Sequence, residues 1–286
     1  MDRIALIDGD EVAYKGAFAC QTSFYNILRK DDSTYASAKT KIDAMEHVEN
    51  QVGLDIVKHV VSTDVQLGYS RIDTLLSSIL RATSSSSYNL FLSGSENFRN
   101  DLATILPYKG NRKEKPVNLG KMKDYLRWKE AETTSFLEAD DCLSATQGNI
   151  EGKETVICTQ DKDLRTVPGL IYNPNTRKLE NLSVEEARYN FYFQLLIGDS
   201  TDNIPSPHGI GKVTAIKILA DCLEKHSSEE TYFLTVRDAY VKFLDKGKTK
   251  WYTDGMDIDG IIWEIGNLLY MHRTFNKDER WELPYG

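Results

Sequence analysis

Short apolar runs alternating with helical stripes set the organisation of this chain. Residues 4–7 (Ile-Ala-Leu-Ile) read as a buried strand that runs directly into Asp8-Gly9-Asp10, and Val12, Ala13, Ala17 and Phe18 follow at helical spacing. Asp8 is therefore expected at the carboxyl end of a strand. Residues 31–82 are polar and read as mostly helical, with a stripe at Ile72, Leu75, Leu76, Ile79 and Leu80 that a serine run at 84–87 interrupts. Residues 88–92, 155–158 and 170–172 are predicted strands separated by helical stretches, and that alternation implies an α/β fold with a mainly parallel sheet flanked by helices. In open sheets of this kind ligands bind beyond the carboxyl ends of the strands, where Asp8, Asp161 and Asp163 fall.

Helix ends sharpen the picture. Ser183 and Glu186 form a capping box, and the helix they open is predicted to run through Phe191 and Leu195 and stop at Gly198. Asp199 then follows a helix C-terminus, where a carboxylate is disfavoured by a few tenths of a kcal/mol or more, so a cation is expected beside it. Asp140 and Asp141 are predicted to open a helix, a place where acids are welcome without any function. After Pro205 and Pro207, the run His208-Gly209-Ile210-Gly211-Lys212 precedes Val213, Ala215, Ile216 and Leu219 at helical spacing: a tight hairpin opening a helix. Its glycines and the N–H groups at the helix start can hold a phosphate, with Lys212 adding charge; an ordinary glycine turn is the alternative. Beyond residue 220, Phe233, Val236, Tyr240 and Leu244 form one core stripe and Ile261, Ile262, Ile265, Leu268 and Leu269 another.

With 286 residues, 41% of them apolar and 10% aromatic, the chain can fill a substantial core. Its apolar runs are far too short to span a bilayer and its first residues lack the apolar centre of a signal peptide, so the expected location is the cytoplasm, or the host cytoplasm for a viral protein. Cys20, Cys142, Cys158 and Cys222 have neither disulfide-framework nor zinc spacing and are expected as free thiols. The net charge of −8 argues against nucleic-acid binding until its distribution is considered. Between Lys109 and Lys129 lie eight basic residues against only Glu114 and Asp124, a local net of +6.

The acids gather in four places: Asp8 and Asp10; Glu138, Asp140 and Asp141; Asp161 and Asp163; Asp199 and Asp202. Carboxylates brought within about 5 Å repel by roughly 3 kcal/mol per pair at an effective dielectric near 20, so a fold that gathers several needs cations. Hard oxygen donors select Mg2+ or Mn2+, and paired ions serve phosphoryl transfer.

Taken in order, IDGD, PYKGNR, EADD, TQDKDL, GDSTDNIP and HGIGK resemble the motifs of the flap endonuclease and 5′ nuclease superfamily, closest to bacteriophage 5′-to-3′ exonucleases. The resemblance implies a PIN-like α/β nuclease core over 1–181 with a basic arch around 108–130. It also implies a helical C-terminal region over 182–286 carrying a helix-hairpin-helix-like clamp on duplex DNA at 208–212. It places Asp8, Glu138, Asp140 and Asp141 at a first divalent metal and Asp161, Asp163, Asp199 and Asp202 at a second. Two Mg2+ ions are implied, with Mn2+ able to substitute, and a K+ is associated with such hairpins. Tyr108, Lys109 and Arg112 fall in the arch motif that contacts the scissile phosphate; Lys113 and Lys115 extend it. Gly209, Ile210, Gly211 and Lys212 carry the clamp. Tyr14 matches a position where related nucleases set an aromatic ring against the terminal base, a core tyrosine being the other reading. Asp10 stands where the wider family is often not acidic, and is read either as supplementary charge beside the catalytic site or as a turn residue.

The family's acid after the second strand is missing: residues 90–92 lead into Ser93-Gly94-Ser95. The expected activity is hydrolysis of DNA at 5′ ends, flaps or nicks to 5′-phosphate and 3′-hydroxyl, with RNA in hybrids and associated replication proteins left open, by a monomer without membrane attachment. Two other readings stand beside it. A haloacid dehalogenase-like phosphatase would make Asp8 of Asp8-x-Asp10 a covalent nucleophile, and a non-catalytic junction-binding protein would account for the missing acid.

Overall fold

The computed structural model describes residues 2–49, 51, 53–111, 114–150, 152–244, 249–252 and 257–285. The chain begins with β1 (Arg3–Asp8), α1 (Gly9–Ala19), β2 (Gln21–Arg29), β3 (Thr34–Ala38), α2 (Lys41–Val48), β4 (Leu54–Ser62) and α3 (Val65–Thr83). It continues through β5 (Ser85–Ser93), α4 (Phe98–Leu102), α5 (Leu119–Trp128), β6 (Glu132–Thr134), α6 (Ala139–Thr146), β7 (Asn149–Ile150), β8 (Lys153–Cys158), a 3-10 turn (Asp163–Thr166), β9 (Gly169–Asn173) and β10 (Lys178–Leu182). Four helices close it: α7 (Val184–Ile197), α8 (Lys212–Glu224), α9 (Glu229–Leu244) and α10 (Ile258–Leu269).

Two compact units result, one of Met1–Gly9, Ile79–Lys113 and Ala131–Gly286, the other of Asp10–Ser78 and Glu114–Glu130. The boundary expected between 181 and 182 falls inside the first unit.

In the first unit the strands run β10-β9-β8-β1-β5-β6, with β7 paired to the start of β8. β1 is parallel to both β5 and β8, whereas β10 and β7 pair antiparallel with β9 and β8. The central strand explains the apolar run: Ile4, Ala5, Leu6 and Ile7 are all buried, as a strand covered on both faces requires. From β1 the chain moves to β5 and β6 on one side and returns to β8 and β9 on the other, so winding reverses between β1 and β8. That reversal opens a crevice beyond the carboxyl ends of these two strands. Asp8 ends β1, and Asp161 lies three residues past Cys158 at the end of β8. Gly9 permits the immediate entry into α1, because a Cβ there would lie 2.6 Å from the Phe91 carbonyl oxygen.

One face of this sheet packs Ile4, Leu6, Phe91 and Ile157 against Cys142 and Leu143 of α6. The closing helices enclose a core of their own, with Tyr192, Leu195, Phe233, Val236, Tyr240, Ile262 and Ile265 almost wholly buried. Ser183 and Glu186 form the expected capping box on α7.

The helical reading of residues 31–82 holds for α2 and for α3, which carries the predicted stripe, but not for β3 and β4. β3, β2 and β4 form an antiparallel sheet, with Tyr25 opposite Ala38 and Ile27 opposite Ile56. Its core is small: Ile27, Ala38 and Ala44 are buried, and most of β4 is exposed. So little buried surface leaves a weak alternation in the sequence; β2 and β3 pair as a local hairpin, and β4 joins β2 from beyond α2. All four cysteines are free and buried, as expected. Among the described residues no helix is long and apolar enough to cross a membrane.

Candidate metal centre

Glu138 caps α6, and the Asp141 carboxylate reaches back to the Glu138 N–H (3.1 Å), so EADD is first of all a helix start. What fixes that start is Arg99 of α4, which sequence reasoning missed. Its guanidinium is fully buried and donates two hydrogen bonds to Asp141 (2.7 and 2.8 Å), one to Glu138 (3.4 Å) and others to the carbonyls of Leu268 (3.0 Å) and Tyr270 (2.7 Å). Burial opposes ionisation of Asp141, but the Arg99 charge prevails and holds its carboxyl below the usual range. Asp141, grouped with the metal ligands by its motif, is thus placed elsewhere: its oxygens face Arg99 and the N–H groups of Glu138 and His272. It anchors the helix that presents its neighbours.

Asp140 is the opposite case. Burial, followed by the charges of Asp8, Asp161 and Glu138, raises its carboxyl well above the ordinary value. Acids from β1, α6 and the end of β8 are therefore near enough to oppose its charge. The buried Asp140 Oδ1 has no hydrogen-bond partner among the described residues. A buried carboxyl oxygen without a partner, on a group whose ionisation three neighbouring acids oppose, suits a hard cation that would restore the charge.

A second group adjoins it. Asp163 is buried and its pKa is pushed up to about 7, by burial first and then by Asp161 and Asp199. Burial, Asp202 and Asp199 likewise raise Asp161, against a hydrogen bond from the Asp163 N–H (2.9 Å). Gln194 of α7 donates to Asp163 (2.7 Å). Asp199 follows Gly198, whose φ of 62° and ψ of −166° suit only glycine, and where a Cβ would lie 2.5 Å from the Ile204 carbonyl oxygen. The cation expected beside Asp199 is Lys162, at 2.9 Å. Burial works against the Asp199 charge, yet the bond from Lys162 keeps its pKa low. Lys162, between the two acids of TQDKDL, was the legible signal left unread.

Tyr108 and Lys109 join the two groups. Tyr108 is buried and its hydroxyl donates to Glu138 (2.7 Å) and Asp202 (3.0 Å), while the Lys109 ammonium bonds Glu138 and lies 3.5 Å from Asp202. Burial favours ionised Glu138 least, but Lys109 and Arg99 overcome it and hold its pKa down. The Lys109 backbone has φ of 56° and is held there by its N–H on the Asp202 carbonyl (2.8 Å). Asn203 and Asn111 clasp the same two loops, bonding the Pro107 and Ser200 carbonyls. Lys109, Lys162 and Gln194 bond several of these acids, and among the described residues no three His, Cys, Asp or Glu side chains stand together as a ready metal site.

The remaining expected residues are dispersed. Ser93, at the missing acid, accepts a hydrogen bond from the Ala139 N–H (2.9 Å) and so helps to seat α6. Asp10, in the second unit, pairs with Lys123 (2.6 Å). Tyr14 is half-buried on α1, 6.3 Å from the Phe18 ring. Lys115 is exposed in the second unit, and Arg112 and Lys113 lie outside the described residues. At the hairpin, Gly209 has φ of 92°, Gly211 caps α8 and Lys212 opens it, exposed. The Ile210 side chain is core, 5% exposed, so only its backbone can meet a ligand. A groove of about 440 Å³ runs beside the hairpin, lined by residues 206–211 and 249–251.

No protein-family model matches the chain. A structure of divalent zinc ions bound to T5 5′-exonuclease matches 93% of this chain and 89% of that one, with a TM-score of 0.52 and 14% identity. A mutant of the T5 5′-exonuclease matches 94% of this chain and all of that one, with a TM-score of 0.50 and 14% identity. DNA polymerase I of Synechocystis sp. is 30% identical over 49% of this chain, which spans only 17% of the polymerase. The chain has the fold of the T5 5′-exonuclease, and with it the resemblance to 5′ nucleases that its six ordered motifs carry.

Proposed function

We propose that the chain is a divalent-metal-dependent 5′ nuclease, a structure-specific 5′-to-3′ exonuclease and flap endonuclease that hydrolyses DNA to 5′-phosphate and 3′-hydroxyl. The observation that carries this reading is the buried Asp140 carboxyl, one oxygen of which has no partner among the described residues and whose ionisation Asp8 and Asp161, from two distant segments, oppose. Asp8, Glu138 and Asp140 would hold one Mg2+, and Asp161, Asp163, Asp199 and Asp202 a second, with Mn2+ able to substitute. Such ions, when bound, supply a hydroxide nucleophile near neutral pH and neutralise phosphate charge.

The chain's own groups do the rest. Lys109, held over the acids by Tyr108 and a strained backbone, contacts the scissile phosphate with Arg112 and stabilises its developing charge. Arg99 and Asp141 keep the first turn of α6 in place. Backbone N–H groups opening α8, with Lys212, grip duplex phosphates without reading bases, so recognition follows shape. The hairpin carbonyls are the proposed K+ site. Flaps, nicks and 5′ ends are the substrates, and RNA in hybrids is read by the same assay.

That assay incubates the protein with end-labelled flap, nicked and blunt duplexes and an RNA–DNA hybrid, with and without Mg2+, beside Asp161→Ala. Metal-dependent cutting lost in the variant supports the reading. Binding without cutting would favour a junction-binding scaffold, and turnover of small phosphate esters without DNA cleavage a phosphatase.

A further inference from the structure

The basic stretch of the second unit ends in a ladder of rings that the nuclease reading leaves without a task. Tyr69 of α3 stacks on Tyr125 of α5 at 4.3 Å with 20° between planes, and Tyr125 stacks on Trp128 at 5.5 Å and 22°. Trp128 is 74% exposed, so most of a large apolar ring stays in water. The ladder is rigid beneath it. The Tyr125 hydroxyl donates to Asp73 (2.9 Å), and Lys129 pairs with the same carboxylate (2.8 Å) while its ammonium lies 5.1 Å from the Tyr125 centroid and 5.4 Å from that of Trp128. Lys121, Tyr125 and Trp128 share one face of α5 at i, i+4 and i+7. Lys121 is exposed, and Arg127 pairs with Asp124 at the surface (2.7 Å).

We infer that Trp128 is a stacking platform for a base of single-stranded nucleic acid, with Lys121 and Arg127 meeting the adjoining phosphates. Three stacked, near-parallel rings are extended most simply by a fourth flat ring, and every base offers one. Rings already fixed through Asp73 lose little conformational freedom on binding, which raises affinity. Cations alongside the open ring suit a polyanion, whereas an apolar peptide would leave them without counterparts. The choice of nucleic acid as partner rests on the nuclease reading.

The test measures, in EDTA, the affinity of wild type, Trp128→Ala and Trp128→Phe for a fluorescent oligothymidylate and for a blunt hairpin duplex. Trp128→Ala is expected to weaken single-strand binding roughly 5- to 100-fold, the loss of about one stacked base. The ratio of single-strand to duplex affinity falls, and Trp128→Phe restores part of it. Because the ring is exposed, thermal melting should show all three folded alike. Equal ratios in the three proteins would overturn the inference, as would self-association of wild type that Trp128→Ala abolishes, since the ring would then face protein. If cutting is absent in wild type but the ratio still shifts, the nuclease reading fails and the platform stands. If cutting persists and the ratio is unmoved, the platform alone is lost.

Discussion

Replacing Arg99 by Leu tests how the candidate centre is held. Arg99 and Asp141 are both fully buried and joined by two hydrogen bonds of 2.7 and 2.8 Å. Removing one partner of such a pair strands the other charge, which typically costs 3–5 kcal/mol. The Leu268 and Tyr270 carbonyls also lose a donor. A loss of about 4 kcal/mol is expected, a large part of the 5–15 kcal/mol that stabilises most folds. Asp141→Asn alone should cost a similar amount, because Arg99 is then the stranded charge. The double variant Arg99→Leu with Asp141→Asn should cost less than the two losses added, with a coupling of roughly 2–3 kcal/mol. Urea unfolding followed by circular dichroism measures all four proteins, provided the m-value is constant. A loss below about 1 kcal/mol for Arg99→Leu, or strict additivity, would refute the buried pair as the anchor of α6.

Lys109→Ala should slow turnover far more than it weakens duplex binding, whereas Lys212→Ala should mainly weaken binding and flatten its salt dependence; kinetics and anisotropy across a salt series would show a reversed pattern if the roles are exchanged. Without metal, Asp163 holds its proton to about pH 7 in the fold but to about 4 when unfolded. The folded state therefore binds more protons between those values, and its stability falls as pH rises through that window. Asp163→Asn should remove part of that slope between pH 5 and 7.5, a range above that in which the depressed carboxyls Glu138, Asp141 and Asp199 titrate. Melting curves with identical slopes for variant and wild type would contradict this.

The strands carrying the acids were legible because β1 and β8 are buried parallel strands whose apolar runs end where the chemistry begins. The start of α7 was legible from one local capping box. The sheet of β2, β3 and β4 was not, since β4 joins it from beyond α2 and its cluster has just three buried side chains among the described residues, Ile27, Ala38 and Ala44. Arg99 was invisible for a similar reason. Nothing within SENFRNDL distinguishes it, and its partners lie 42, 169 and 171 residues away. The four acidic motifs were recognised together, but their division of labour needed coordinates: Asp140 is left with an open oxygen, whereas Asp141, one residue on, is enclosed by an arginine.

The gathering of acids from four segments to hold divalent ions is the claim on which the rest stands. Calorimetric titration of the metal-free protein with Mn2+ tests it most directly. Binding of two ions, with one lost in Asp140→Asn and the other in Asp163→Asn, is the predicted result; no binding, or binding indifferent to both substitutions, would contradict it.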